Sequence, residues 1–88
     1  MELPVAGQRT PPALTLVVPC YNEAEGLQAS ATQLLEVLEV LRTLGRISDK
    51  SRLCMVDDGS SDGTWDIIQT LVQGSPDCAG IRLTRNFG

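Results

Sequence analysis

Val17-Val18-Pro19-Cys20-Tyr21-Asn22-Glu23 and Val56-Asp57-Asp58-Gly59-Ser60-Ser61-Asp62-Gly63-Thr64 decide the fold. Each opens as an apolar run of the kind that suits a buried parallel strand. Each then breaks into polar residues and turn formers, and passes into a segment with helical periodicity. Two strand-to-helix turns rich in acids and small polar groups describe one edge of an open α/β sheet. Ligands of such sheets bind just beyond the carboxyl ends of the strands. The pair of turns therefore reads as half of a nucleotide-recognising site.

Upstream of the first turn, Leu14-Thr15-Leu16-Val17-Val18 is a strand, and Pro19 is expected to end its ladder because proline has no N–H to donate. Its nearly continuous apolar character predicts helices on both faces of the sheet. Downstream, Asn22 is placed to cap a long helix, with Glu25 completing a capping box. Leu27, Ala31, Leu34, Leu35, Leu38 and Leu41 make one apolar stripe, and Gly45 is placed to end the helix in a left-handed cap. Ser48 to Ser51 is a polar loop and Leu53-Cys54-Met55-Val56 a second strand. Trp65, Ile68, Leu71 and Val72 mark a second helix, closed by Gly74 and Pro76. A third strand, about Ala79 to Leu83, leads into Thr84-Arg85-Asn86-Phe87-Gly88, which reads as the start of a further strand-to-helix turn. The chain is thus expected to be truncated. Strand, helix, strand, helix, strand implies right-handed crossovers and a parallel sheet.

With 88 residues there is room for one small domain. Residues 1–13, with Pro4, Gly7, Pro11 and Pro12, read as a flexible leader, and residues 14–88 as the domain. Aromatic content of 3% makes the core aliphatic. A net charge of −4, with seven Lys and Arg scattered along the chain, argues against nucleic acid as a partner. Cys20, Cys54 and Cys78 have neither metal-ligand spacing nor a histidine to join them, and read as reduced thiols. Cys20 is the one nearest the candidate site. Met1 to Pro12 lacks the basic and apolar regions of a signal peptide, and no stretch approaches the roughly 18–20 apolar residues of a membrane span, so the chain is expected to be soluble.

Asp57 to Thr64 packs three carboxylates, three hydroxyls and two glycines into eight positions. Glycine permits positive φ and close backbone approach to a ligand. A carboxylate at the mouth of a parallel sheet can accept hydrogen bonds from a ribose hydroxyl or a base N–H. Free N–H groups at the start of the second helix could meet phosphate, but the density of acids nearby favours a nucleoside. Asp58, a second acid directly beside Asp57, is repulsive and unneeded for folding, which points to function. Asp57 fits either a structural or a binding role. Ser60, Ser61, Asp62 and Thr64 fit turn formation and capping as well as ligand contact. A calcium loop fails because Gln69 stands where the bidentate Glu is required. In the first turn, Pro19, Tyr21 and Glu23 would project to one side if the backbone stays extended through Asn22. Proline and tyrosine rings would then face a base, with Glu23 accepting from its polar edge.

Leu16 to Glu23 together with Val56 to Thr64 resembles the N-terminal signature of family-2, A-type glycosyltransferases. Thr84-Arg85-Asn86-Phe87-Gly88 after the third strand is similar to the polyprenyl-phosphate branch, which includes dolichyl-phosphate mannosyltransferase-like enzymes. The likeness runs from about Leu14 to Gly88. It implies a Rossmann-like, nucleotide-diphospho-sugar transferase fold, of which this is the N-terminal part. It also implies transfer of a hexose from UDP- or GDP-hexose to a polyprenyl or dolichyl phosphate, with inversion, at the cytoplasmic face of a membrane. Pro19, Tyr21, Glu23, Val56 and Asp58 would then line the nucleotide pocket, with Asp57, Ser60, Asp62 and Arg85 supporting. The family's divalent cation, Mg2+ or Mn2+, is held by an Asp-x-Asp motif downstream of the Arg-Asn-x-Gly segment, and no such motif follows here. The acceptor-lipid region and any membrane-associated C-terminal part are likewise missing, so these 88 residues should be inactive alone. The alternative from another class is a non-catalytic short product that binds nucleotide weakly or modulates a full-length relative. A phospho-acceptor domain built on Asp57 and Asp58 fails for want of a third acid at another strand end.

Overall fold

The computed structural model describes residues 10–84. Five elements follow in the expected order: β1 (Thr15–Cys20), α1 (Ala24–Thr43), β2 (Arg52–Asp57), α2 (Thr64–Gly74) and β3 (Cys78–Arg82). The strands form one sheet in the order β1-β2-β3, and both pairings are parallel. This is an α/β fold with flanking helices, consistent with a Rossmann-like architecture.

Pro19 does not end β1. It stays in register opposite Val56, and the ladder continues to Cys20 opposite Asp57. The carbonyls of Leu14 and Cys20 accept from Arg52 and Asp58 of the β2 side. Even-numbered residues of β1 therefore turn their backbone groups toward β2, and odd-numbered Pro19 turns its missing N–H to the open edge, where a sheet tolerates proline.

Among the described residues, helices cover one face of the sheet rather than both. Successive right-handed crossovers that step the same way across a sheet deposit their helices on the same side. On that side Leu53, Met55 and Asp57 of β2 are buried, with Cys20 of β1 and Cys78 of β3. Leu27, Ala31 and Leu38 from α1 and Ile68 from α2 complete the core. Leu34, Leu35 and Leu41 pack at its margin, so the expected helical stripe is the buried one. α2 lies so close to the sheet that a Cβ at Gly80 would stand 2.6 Å from Ile68 Cγ2. On the opposite face Val17 and Ile81 are 63% and 48% exposed.

The termini of α1 are built differently. At the C-terminus Gly45 adopts φ +72°. Its N–H donates to the Arg42 carbonyl and that of Arg46 to Leu41, the paired bonds of a Schellman cap. At the N-terminus the expected capping box is absent: Glu23 holds the cap position and makes no side-chain cap bond. Asn22 lies instead in the left-handed region at φ +50°.

Arg42, in the last turn of α1, is mostly buried. It donates to Asp77 Oδ2 at 2.8 Å before β3 and to the Ser51 carbonyl before β2. One guanidinium thus fastens α1 to both loops entering the sheet, and the Asp77 bond pushes its pKa upward.

Candidate functional site

The first and second strand-to-helix turns lie side by side, because Cys20 pairs with Asp57 and the Asp58 N–H donates to the Cys20 carbonyl at 3.0 Å. Backbone pairing thus carries Tyr21 and Asp58 to adjacent places just past the strand ends. Tyr21 is 54% exposed and Asp58 half-buried. Val56 is half-buried on the uncovered face, in register with Pro19 and Ile81. Pro19 and Glu23 are exposed.

The left-handed backbone at Asn22 breaks the extended path on which Pro19, Tyr21 and Glu23 would have shared one side. Alternation therefore cannot place Glu23 beside Tyr21. Glu23 instead begins α1, and its carbonyl accepts from Gly26 and Leu27.

Much of the second turn is engaged with the first. The N–H groups of Asn22, Glu23 and Ala24 donate in succession to Ser60 Oγ (2.8 Å), Thr64 Oγ1 (2.9 Å) and Asp62 Oδ2 (3.2 Å). In return the Ser61 N–H and hydroxyl donate to Asn22 Oδ1, at 2.9 and 3.4 Å. The N–H of Ala24, the first residue of α1, is thus occupied by a protein oxygen. Asp62 Oδ1 also accepts from the backbone N–H and hydroxyl of Thr64. These bonds, the Thr64 hydroxyl foremost, hold the Asp62 carboxyl below its ordinary pKa.

Asp57 is fully buried. Its Oδ1 accepts from the Ser60 N–H at 3.1 Å, which closes the turn. Its Oδ2 makes no hydrogen bond and lies 3.9 Å from Nε of Arg82, whose guanidinium stands 5.7 Å from the centre of the Trp65 ring. Cys20 is fully buried, and burial, followed by the nearby charges of Glu23 and Asp57, pushes its thiol pKa up. That is the environment of an inert thiol. Arg85, and with it Asn86-Phe87-Gly88, lies outside the described residues.

Sequence reasoning missed Asn22 as a link between turns and Thr64 as a buried acceptor for the other helix. One signal was present: asparagine tolerates positive φ better than other non-glycine residues.

Among the described residues no three His, Cys, Asp or Glu side chains are grouped to hold a metal. The Asp58 and Asp62 carboxylates do not by themselves make a cation site. No helix among these residues is long and apolar enough to cross a membrane.

The model of the family "Glycosyl transferase family 2" matches residues 15–88. An uncharacterized glycosyltransferase of Bacillus subtilis is 38% identical over 81 residues, covering 92% of this chain and 24% of the relative. An uncharacterized glycosyltransferase of Synechocystis is 36% identical over 75 residues, 85% of this chain and 22% of the relative. The undecaprenyl-phosphate 4-deoxy-4-formamido-L-arabinose transferase of Aeromonas hydrophila is 30% identical over 77 residues, again 85% and 22%. The chain therefore spans about a quarter of the length of these relatives. No solved structure matches it.

Proposed function

The chain belongs to glycosyl transferase family 2, and on that premise we propose that it is the nucleotide-binding portion of an enzyme moving a hexose from UDP- or GDP-hexose to a polyprenyl or dolichyl phosphate. The observation that carries this reading is the placement of Tyr21 and Asp58 next to each other beyond the strand ends, held there by the Cys20–Asp58 backbone bond. A carboxylate at this point of a parallel sheet is suited to accept from a ribose hydroxyl or a base N–H. Asp58 takes that role. Tyr21 and Pro19 offer ring faces to the base, Val56 offers apolar contact, and Glu23 stands at the margin. Asp57 and Ser60 act behind them by fixing the turn.

The acceptor class is supported by the undecaprenyl-phosphate transferases among the relatives. Transfer would take place at the cytoplasmic membrane face, with inversion at the anomeric carbon. A divalent cation, Mg2+ or Mn2+, would neutralise charge on the leaving diphosphate and would be held by residues other than those described. The 88 residues alone should therefore bind nucleotide weakly and transfer no sugar.

Titration of the 15N-labelled chain with UDP and with GDP tests this reading. Millimolar binding of one nucleotide is expected, with amide shifts at Tyr21, Val56 and Asp58. Asp58→Asn should weaken it roughly 10-fold or more, the effect of removing a charged acceptor. Equal affinity in Asp58→Asn, or shifts confined to another part of the sheet, overturns the assignment. Robust sugar transfer by the purified chain overturns the inactivity.

A further inference from the structure

Local capping would suffice to start α1, yet the chain does not use it. Instead three consecutive N–H groups, those of Asn22, Glu23 and Ala24, reach side chains about 40 residues away, Ser60, Thr64 and Asp62. Asn22 Oδ1 reciprocates by accepting from Ser61. The Ala24 bond also satisfies the first donor of α1, but Asn22 and Glu23 precede the helix and their bonds serve to join the two turns. Their common effect is to set one strand-end turn at a fixed place against the other.

The geometry points to Asn22, Ser60, Asp62 and Thr64 as positioning residues: their cross-turn clasp fixes the turn that bears Tyr21 against the turn that bears Asp58, the two walls of the nucleotide site. This rests on the nucleotide reading of the two turns. The four side chains act through the turns they join, not by touching ligand. Asn22 is the pivot because it meets two demands together. Its backbone is left-handed, which Gly, Asn and Asp tolerate, and its Oδ1 holds the Ser61 donors. Asn22→Gly keeps the first property and loses the second. Asn22→Asp keeps both.

The two substitutions, compared in the whole chain, separate a clasp from a mere turn. The probes are UDP and GDP, with affinity read from amide shifts. Cross-turn NOEs between backbone protons of residues 21–24 and 60–64 are read without ligand. Asn22→Gly keeps the three N–H donors but loses the Ser61 bonds, so it is expected to weaken those NOEs and to bind the preferred nucleotide roughly 3- to 10-fold more weakly, the range of one or two lost hydrogen bonds. Asn22→Asp should keep the NOEs and bind within about twofold of the parent. Protection of the β2 amides should be unchanged in both. Parental affinity in Asn22→Gly overturns the proposal, as do NOEs of undiminished intensity in that variant. Failure of Asn22→Asp to restore binding, with its NOEs intact, overturns it too. Absence of nucleotide shifts in the parent, with NOEs behaving as expected, instead overturns the nucleotide reading and leaves a structural clasp.

Discussion

Asp62 serves the starts of two helices with one carboxylate: Oδ2 accepts from Ala24 of α1, and Oδ1 from Thr64 of α2. Hydrogen bonds to the charged form lower its pKa, and the sign of the consequence follows. The folded chain favours the ionised group, so the contribution is complete at neutral pH. It fades as pH falls below the ordinary carboxylate value of about 3.9 and through the lowered native one. The melting temperature of Asp62→Ala should therefore lie below that of the parent at pH 7, with the gap closing in acid. A gap that stays constant from pH 7 to 2.5 contradicts the assignment. Individual residues were the least legible scale in the sequence. Asp58 stood out because two adjacent acids at a strand end are hard to explain by folding. The partners of Asn22, Ser60 and Thr64 did not, because local capping rules consider residues three or four apart, and these bonds cross about 40.

Periodicity and turn residues give the elements far more directly. The Leu27 to Leu41 stripe is the face of α1 that meets the sheet, and Gly45 supplies the left-handed cap its position predicts. The error at Pro19 came from treating any proline as a ladder's end, whereas only the direction of its absent N–H matters, and at an edge strand that direction can be harmless. Two glycines show how packing decides what propensity alone cannot. Gly26 lies in the first turn of α1 with open space where a Cβ would go, so Gly26→Ala should stabilise by about 0.5–1 kcal/mol. A Cβ at Gly80 would stand 2.6 Å from Ile68 Cγ2, and Ile68 is fully buried. Gly80→Ala should destabilise by about 1–3 kcal/mol, as overpacking does. Urea midpoints moving in opposite directions would bear out both; a parental midpoint for Gly80→Ala would mean that α2 rides freely over β3.

At the scale of the whole molecule, the apolar strands were legible and their one-sided cover was not. Continuous apolar character says that a strand can be buried on both faces; it does not say which segment supplies the second layer. In the described residues that layer is lacking. Val17 and Cys54 of the neighbouring strands β1 and β2 share the bare face with Ala79 of β3, and Pro19 and Val56 share it with Ile81. The sheet's edges are unequal. β1 presents Pro19, whose missing N–H blunts that edge. β3 presents the outward groups of Gly80 and Arg82, since its odd-numbered residues serve β2 through the Asp77 carbonyl and the Leu83 N–H. Self-association should therefore proceed through the bare face and the β3 edge. Sedimentation of the isolated chain should show concentration-dependent species larger than a monomer. Val17→Lys combined with Ile81→Lys should restore a monomer, while unfolding free energy stays within about 0.5 kcal/mol because both side chains already face water. A parent that is monodisperse across the whole concentration range and unfolds cooperatively would show that this apolar face is tolerated in water.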